Sequence, residues 1–139
     1  MAKDPKVDLI TSVSLFKGLD RHELEQVAQL MDEVELPAGK TLMTQAETGD
    51  EMFVIVSGLV SIERDGTKIN ERGPGSVIGE LALLSKGPRT ATIKTLKPTR
   101  ILLAGHREFH ALMDDPKIRM GVLEGVADKI RVLDQASIH

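Results

Sequence analysis

The chain has 139 residues, of which 41% are hydrophobic, and its 18 basic and 21 acidic side chains give a net charge of −3. These values are typical of one soluble domain and argue against nucleic acid as the main partner, because phosphate backbones are bound by clustered Lys and Arg. The lack of cysteine excludes disulfide scaffolds, thiolate metal sites and thiol nucleophiles, and three Phe with no Tyr or Trp leave almost nothing on which nucleic-acid bases could stack.

Residues 6–34 show a helical period. Asp20 and Glu23 have the spacing of a capping box, which predicts a helix start. The apolar residues after this box share one helix face: Leu24, Val27, Ala28 and Met31. An earlier apolar cluster predicts another short helix, which runs into a turn at 15–19: Val7, Leu9, Ile10 and Val13.

Residues 34–105 change to short β-branched segments separated by glycines. Strands are predicted over 41–44, 52–56, 59–64, 67–71, 90–95 and 99–103. Asp65-Gly66 separates two of these strands and predicts a type I′ hairpin turn, in which both central residues need positive φ. Many short strands at regular spacing indicate a small antiparallel barrel or roll.

Residues 106–138 return to a helical period. Asp115-Pro116 supplies an N-cap and an N1 proline for a final helix. Its apolar residues are Ile118, Val122, Leu123, Val126, Ala127, Ile130 and Leu133. Gly121 and Gly125 lie inside this helix, each costing about 1 kcal/mol against Ala. Two explanations stay open for them, close packing against a partner helix and a deliberately soft helix.

The segment from Gly73 to Ile93 is the most informative about function. Its residues 80–84 are strong helix formers with room for one or two turns, and a helix start exposes backbone N–H groups that bind anions. Gly79 would let a ligand approach the backbone closely, and Arg89 could close on the same anion with its planar donors. Glu80 would repel a phosphate but can accept a hydroxyl proton. The combination suits a nucleotide with one phosphate and a free ribose 2′-OH.

The motif Gly-Glu-Leu-Ala-Leu-Leu…Pro-Arg-Thr-Ala-Thr over 79–92 resembles the phosphate-binding cassette of cyclic nucleotide-binding domains. Such domains occur in protein kinase A regulatory subunits, catabolite-activator-type regulators and cyclic-nucleotide-gated channels. The similarity extends over nearly the whole chain, including the turns at 15–19 and 49–51, the Val56-Ser57-Gly58 segment and the closing helices. It implies one cyclic nucleotide-binding domain over 1–139, mainly β with flanking helices. Its antiparallel, jelly-roll-like β-roll would hold an inserted phosphate-binding helix, with N-terminal helices before it and C-terminal lid helices after it.

The resemblance also implies a role for each site residue. Glu80, beside Gly79, would bind the ribose 2′-OH, and Arg89 would bind the cyclic phosphate. Backbone amides would complete the phosphate cradle: Leu81, Ala82, Thr90 and Ala91. Apolar walls beside the sugar and base would be formed by Ile62, Ile69 and Ile78, although each is equally explained as roll core. In the last helix, the positions that face the base fall near Lys129, Leu133 and Asp134, and helical periodicity adds Ile130 to this lid.

The predicted function is therefore a regulatory module that binds a 3′,5′-cyclic mononucleotide, with cAMP as the expected ligand, and signals occupancy through movement of the C-terminal helix. A cGMP-preferring sensor is one alternative, since a hydroxyl at Thr90 is compatible with both nucleotides. A structural or interaction domain that keeps the fold without the ligand is the other.

No catalytic residues, cofactor or metal are expected, because the chain offers no nucleophile–base pair and no third ligand for His106 and His110, which are four residues apart. No signal peptide or apolar run of membrane-spanning length is present, so a cytoplasmic protein with no membrane partner is expected. Two protein partners are considered: a second copy in a homodimer through the C-terminal helix, and an effector protein.

Overall fold

The computed structural model describes residues 5–80 and 87–137, with side chains up to Ala127 except those of Pro5 and Ser14. In this part of the chain, helices precede and follow a run of strands, as predicted. The helices are α1 (Pro5–Ile10), a 3-10 helix (Ser14–Phe16), α2 (Arg21–Gln29), α3 (His106–Leu112) and α4 (Pro116–Ser137). The strands are β1 (Asp32–Leu36), β2 (Thr41–Met43), β3 (Thr48–Gly49), β4 (Met52–Ser57), β5 (Val60–Arg64), β6 (Thr67–Arg72), β7 (Val77–Ile78), β8 (Gly87–Pro88), β9 (Thr92–Thr95) and β10 (Thr99–Ala104).

The chain divides into two compact units, a sheet unit over 31–106 and a helical unit formed by the residues on either side. In the sheet unit, one sheet has the order β1-β10-β4-β7, a second has the order β2-β9-β5-β6, and β3 pairs with β8. All of these pairings are antiparallel. Both four-stranded sheets contribute to one apolar core: Phe53, Ile55, Val60, Ile78, Ile93 and Ile101. The predicted antiparallel roll is therefore confirmed.

Strand boundaries differ from the prediction by more than one residue at two places. The helical segment predicted to run to residue 34 is wrong at its end, because α2 stops at Gln29 and β1 begins at Asp32. Val34 and Leu36 alternate there with exposed Glu33 and Glu35, a period of two that belongs to a strand. The strand predicted over 90–95 begins only at Thr92, so residues 90 and 91 lie in the connection before it.

The predicted turn and helix starts are confirmed. Asp65 and Gly66 have φ of 54° and 80° at the tip of the β5–β6 hairpin. The capping box of α2 is formed by two backbone-to-side-chain hydrogen bonds of 2.9 Å between Asp20 and Glu23. At the start of α4, the backbone N of Lys117 donates to Oδ1 of Asp115 at 2.9 Å.

Gly121 is explained by close packing inside the helical unit. Here α4 contacts the 3-10 helix. A Cβ at Gly121 would overlap the Leu19 side chain and would lie 2.8 Å from the carbonyl oxygen of Gly18. The reverse also holds, because a Cβ at Gly18 would overlap the carbonyl oxygen of Gly121. The contact is made with the turn after the 3-10 helix and not with a partner helix.

Candidate functional site

Arg89 is a cation buried in the sheet unit, with 9% of its surface exposed. Two backbone hydrogen bonds of 2.8 Å hold it, from its own N to the carbonyl oxygen of Glu47 and from the N of Ala46 to its carbonyl oxygen. Its Nη2 donates to the carbonyl oxygen of Glu51 at 2.9 Å, whereas its buried Nε has no hydrogen-bond partner among the described residues. Burial lowers the pKa of Arg89, and the nearby carboxylates of Glu51 and Asp50 oppose this shift.

Two glycines make room for the Arg89 guanidinium. A Cβ at Gly49 would overlap Nε of Arg89. A Cβ at Gly79 would lie 2.5 Å from Nη1 and 2.8 Å from the carbonyl oxygen of Glu51, and its φ of +77° also favours glycine. Gly79 was predicted to make room for a ligand, and in the structure it makes room for the arginine. The packing of Gly49 against Arg89 was missed, since nothing local to residue 49 indicates which side chain will reach it.

Glu80 follows Gly79 directly and is also buried, with 8% of its surface exposed. The structure therefore brings Gly79 and Arg89 together, with Glu80 as the next residue after Gly79. The helix predicted over 80–84 lies outside the described residues apart from Glu80, and so do the amides predicted at Leu81 and Ala82. The roles assigned to these residues stay predictions.

Thr90 and Ala91 link β8 to β9 directly after Arg89. Thr90 is exposed and Ala91 is buried. Neither residue belongs to a strand, so sheet pairing does not determine the direction of their amides. Their part in a phosphate cradle stays a prediction.

The three isoleucines predicted as apolar walls have different environments. Ile78 belongs to the core cluster, and half-buried Ile62 packs against that cluster. Ile69 is 51% exposed, because it lies on β6, the edge strand of its sheet, where all six residues are exposed. The core explanation is therefore wrong for Ile69 and holds for the other two, while the base-wall role stays a prediction for all three. The side chains of the lid positions lie outside the described residues: Lys129, Ile130, Leu133 and Asp134.

A second set of polar contacts joins the Arg89 segment to the β5–β6 hairpin. Nε of Arg64 donates to the carbonyl oxygen of Thr90 at 3.2 Å. Gln45 and Asp65 exchange two hydrogen bonds, from Nε2 of Gln45 to Oδ1 of Asp65 at 2.9 Å and from N of Asp65 to Oε1 of Gln45 at 2.8 Å. The next residue, Ala46, has a φ of 74°, a strain of roughly 1 kcal/mol of the kind that clusters at functional sites. These contacts have no local sequence signature and were not predicted.

Comparison with known proteins gives the family. Residues 33–115 match the family model of the cyclic nucleotide-binding domain. The chain belongs to this family. The domain is 32% identical over 120 residues to a cAMP-dependent protein kinase regulatory subunit of Yarrowia lipolytica, a match that covers 86% of this chain and 32% of the relative. It is 26% identical over 130 residues to a CRP-like cAMP-activated global transcriptional regulator of Mycobacterium tuberculosis, covering 89% of this chain and 58% of the relative.

Solved structures of the same fold agree with this assignment. The N-terminal domain of a transcriptional regulator from Streptomyces coelicolor superimposes with a TM-score of 0.84 at 32% identity, over 94% of this chain and 95% of the other. The regulatory domain of Toxoplasma gondii PKA, solved with cAMP, has a TM-score of 0.70 at 28% identity, over 80% of this chain and 46% of the other. The domain thus belongs to a regulatory and generally non-catalytic family, and it spans about a third to three-fifths of the length of the two curated relatives above.

The part of the chain that the structure describes holds neither a metal-binding cluster nor a membrane-spanning helix. No three His, Cys, Asp or Glu side chains come together there in a group suited to a metal ion. No described helix has both the length and the apolar character that crossing a membrane requires.

Proposed function

We propose that this domain binds a 3′,5′-cyclic mononucleotide, with cAMP as its ligand, and transmits occupancy through α4. The observation that supports binding is the buried guanidinium of Arg89, whose Nε lacks a hydrogen-bond partner among the described residues. Burying this cation is costly, because its pKa is lowered despite the nearby carboxylates of Glu51 and Asp50, and a cyclic phosphate would supply further negative charge and the acceptor that Nε lacks. The carboxylate of Glu80 would then accept a hydrogen bond from the ribose 2′-OH. No catalytic step is assigned to the domain.

The choice of cAMP is supported by two of the similar proteins, of which one is described as cAMP-activated and the other was solved with cAMP. The exposed Thr90 keeps cGMP as a second candidate, because its hydroxyl could meet the 2-amino group of a syn guanine. A ligand-free domain is disfavoured by the buried and incompletely satisfied arginine.

Calorimetric titration tests this function directly. We expect cAMP to bind more tightly than cGMP, and 5′-AMP to bind at least about tenfold more weakly than cAMP, since an open phosphate dianion differs in charge and shape from the cyclic monoanion. The absence of binding for both cyclic nucleotides would contradict the proposal and favour a structural or interaction domain.

Glu80→Gln is expected to weaken cAMP binding by about tenfold, because the amide can still accept one hydrogen bond but lacks the charge that strengthens it. The wild type should bind 2′-deoxy-cAMP more weakly than cAMP, and the variant should discriminate less between these two ligands. Glu33→Gln, at an exposed position on β1, is the matched control and should leave both affinities unchanged. Equal binding of cAMP and 2′-deoxy-cAMP by the wild type would remove the role assigned to Glu80.

Cyclic nucleotide is expected to slow amide exchange in residues 122–136. In the sheet unit, Ile69 lies on an exposed edge strand, so apolar cover for the remaining side of the base must come from elsewhere, and the helical period offers Ile130 and Leu133. The ligand would select the docked state of the helix, to the extent that it binds that state more tightly. Hydrogen exchange followed by mass spectrometry measures the effect. The control is Arg89→Ala mixed with the same concentration of cAMP. If saturating cAMP left the exchange of residues 122–136 unchanged in the wild type, the lid role of α4 would be contradicted.

Occupancy would reach a partner through α4. Met120 and Leu123 lie one turn apart on this helix with 59% and 53% of their surfaces exposed, which supports a surface for a second copy of the chain or for an effector. Sedimentation of the purified protein with and without cAMP separates the two partners. Only a homodimer would sediment with the mass of two chains, because no effector is present in the sample. A cytoplasmic location is part of the proposal, because the similar proteins are named as a kinase regulatory subunit and a transcriptional regulator.

A further inference from the structure

We propose that Arg64 and the Gln45–Ala46 corner are positioning residues of the phosphate site. They would aim the backbone amides of Thr90 and Ala91 by holding the carbonyl ends of the same two peptide units. This inference rests on the proposed function, in which those amides bind the cyclic phosphate.

The peptide bond is planar, so its two ends move together. In a trans peptide unit the C=O of one residue and the N–H of the next point in opposite directions, so holding one end orients the other. The carbonyl oxygen of Arg89 accepts from N of Ala46 at 2.8 Å, which directs the N–H of Thr90 away from Ala46. The carbonyl oxygen of Thr90 accepts from Nε of Arg64 at 3.2 Å, which directs the N–H of Ala91 away from Arg64. The N–H groups of Thr90 and Ala91 are therefore both oriented by contacts to the carbonyl oxygens of their own peptide units.

Sheet pairing does not orient these two amides. β8 ends at Pro88 and β9 begins at Thr92, so the peptide units on either side of Thr90 lie between strands. In the described part of the chain, their orientation depends on contacts from outside the segment. A loop whose amides must keep one direction before a ligand arrives needs such contacts, because preorganised donors lose less conformational freedom on binding.

Gln45 joins the two sources of donors. Its side chain exchanges hydrogen bonds of 2.9 and 2.8 Å with Asp65, the neighbour of Arg64, and its own N donates to Oγ1 of Thr92 at 2.9 Å. Ala46 follows Gln45 in the chain, and Arg64 precedes Asp65. The contacts of Gln45 therefore fix the position of the Ala46 donor relative to the Arg64 donor. The contacts of Arg64, Gln45 and Asp65 together form a clamp on the Thr90 segment.

The first test compares Arg64→Ala and Gln45→Ala with Arg72→Ala, which removes an equal charge from an exposed position on the same hairpin. We expect each clamp variant to bind cAMP about five- to tenfold more weakly, a loss comparable to that of one neutral hydrogen bond. Arg72→Ala should stay within about twofold of the wild type. A clamp variant that bound as tightly as the control would overturn the proposal.

The second test separates aiming from a merely structural role. The two phosphorothioate diastereomers of cAMP each place sulfur, a poor acceptor, at a different exocyclic position. If the clamp aims the amides, Arg64→Ala should weaken one diastereomer by less than about twofold, because that ligand has already lost the amide contact, while cAMP and the other diastereomer lose five- to tenfold. Equal losses for all three ligands would overturn the proposal, since structural damage and long-range charge act on all of them alike.

A double variant tests the part of the clamp that Gln45 and Asp65 form. Gln45→Glu would set a carboxylate against that of Asp65 and should weaken cAMP binding, whereas adding Asp65→Asn restores a donor and an acceptor and should recover the affinity. If the double variant did not recover its affinity, the role of the Gln45–Asp65 contact would be contradicted.

A wild type that bound neither cyclic nucleotide would contradict the proposed function instead of the clamp. The clamp would then be judged in the ligand-free protein from amide exchange at Ala91. We expect faster exchange in Arg64→Ala and Gln45→Ala than in Arg72→Ala, and equal exchange in all three variants would overturn it.

Discussion

Replacing Arg89 with alanine is expected to lower the affinity for cAMP by about a hundredfold or more, with little effect on folding. Hydrogen bonds to a phosphate from a charged donor contribute roughly 1.5–3 kcal/mol each, and a guanidinium can make two of them. The free energy of unfolding should change by no more than about 1 kcal/mol, the net contribution of the lost hydrogen bond from Nη2 to the carbonyl oxygen of Glu51, because removal of a buried cation opposes this loss. Calorimetry and denaturant unfolding measure the two quantities.

Arg100→Ala is the matched control for Arg89. It removes an arginine of the same sheet unit, but one that is exposed and paired with Glu35 through Nη2 at 2.6 Å. Its effect on cAMP binding should be small. An Arg89→Ala protein that bound cAMP within threefold of the wild type would contradict the phosphate site, whereas an unfolded variant would show that Arg89 serves the fold. Arg89→Lys would then serve as the milder variant, since lysine keeps the charge and loses the planar fork.

Replacing Gly121 with alanine is expected to lower the free energy of unfolding by about 1–3 kcal/mol. The new Cβ would lie 2.8 Å from the carbonyl oxygen and 3.1 Å from the carbonyl carbon of Gly18, and backbone atoms cannot move aside as a flexible side chain can. The gain of about 1 kcal/mol in helix propensity opposes this loss without cancelling it. Urea unfolding monitored by circular dichroism measures the change.

The sign of this change decides between the two explanations that the sequence left open for the glycine. A glycine kept to soften the helix would make Gly121→Ala more stable by about 1 kcal/mol, whereas a glycine kept for close packing makes it less stable. Leu123→Ala, at a half-exposed position of the same helix, should change stability by no more than about 0.5 kcal/mol. A stabilised Gly121→Ala protein would contradict the packing explanation.

Much of the fold could be predicted because it depends on residues close together in the chain. The Asp20–Glu23 capping box, the Asp115 cap of α4 and the Asp65-Gly66 turn all involve neighbours within three positions, and all three are present. The longer strands other than β1 were found from their runs of β-branched residues, whereas β1 was missed because its first residues were assigned to the preceding helical segment. The two-residue strands β3, β7 and β8 were missed, since a pattern of alternation cannot be recognised over two residues.

The chemistry of the candidate site could also be recognised from its local motif, because Gly79, Glu80 and Arg89 are close in sequence. The environment of that motif could not be recognised from the sequence. Arg89 donates to the carbonyl oxygen of Glu51, 38 positions away, and Arg64 reaches the carbonyl oxygen of Thr90, 26 positions away. Neither acceptor has a sequence signature, since every residue has a carbonyl oxygen and only the strand arrangement determines which one is near.

Taken by itself, the sequence determined which residue types could bind a phosphate and a hydroxyl, where the helices are capped, and which segments extend as strands. Tertiary structure alone decided that Arg89 is buried between Gly49 and Gly79, that Ile69 is exposed on an edge strand, and that Gly121 meets the Gly18 turn. The physical reason is the range of the interactions. Caps and turns are formed by adjacent backbone groups, whereas burial and close packing depend on segments that become neighbours only when the chain folds.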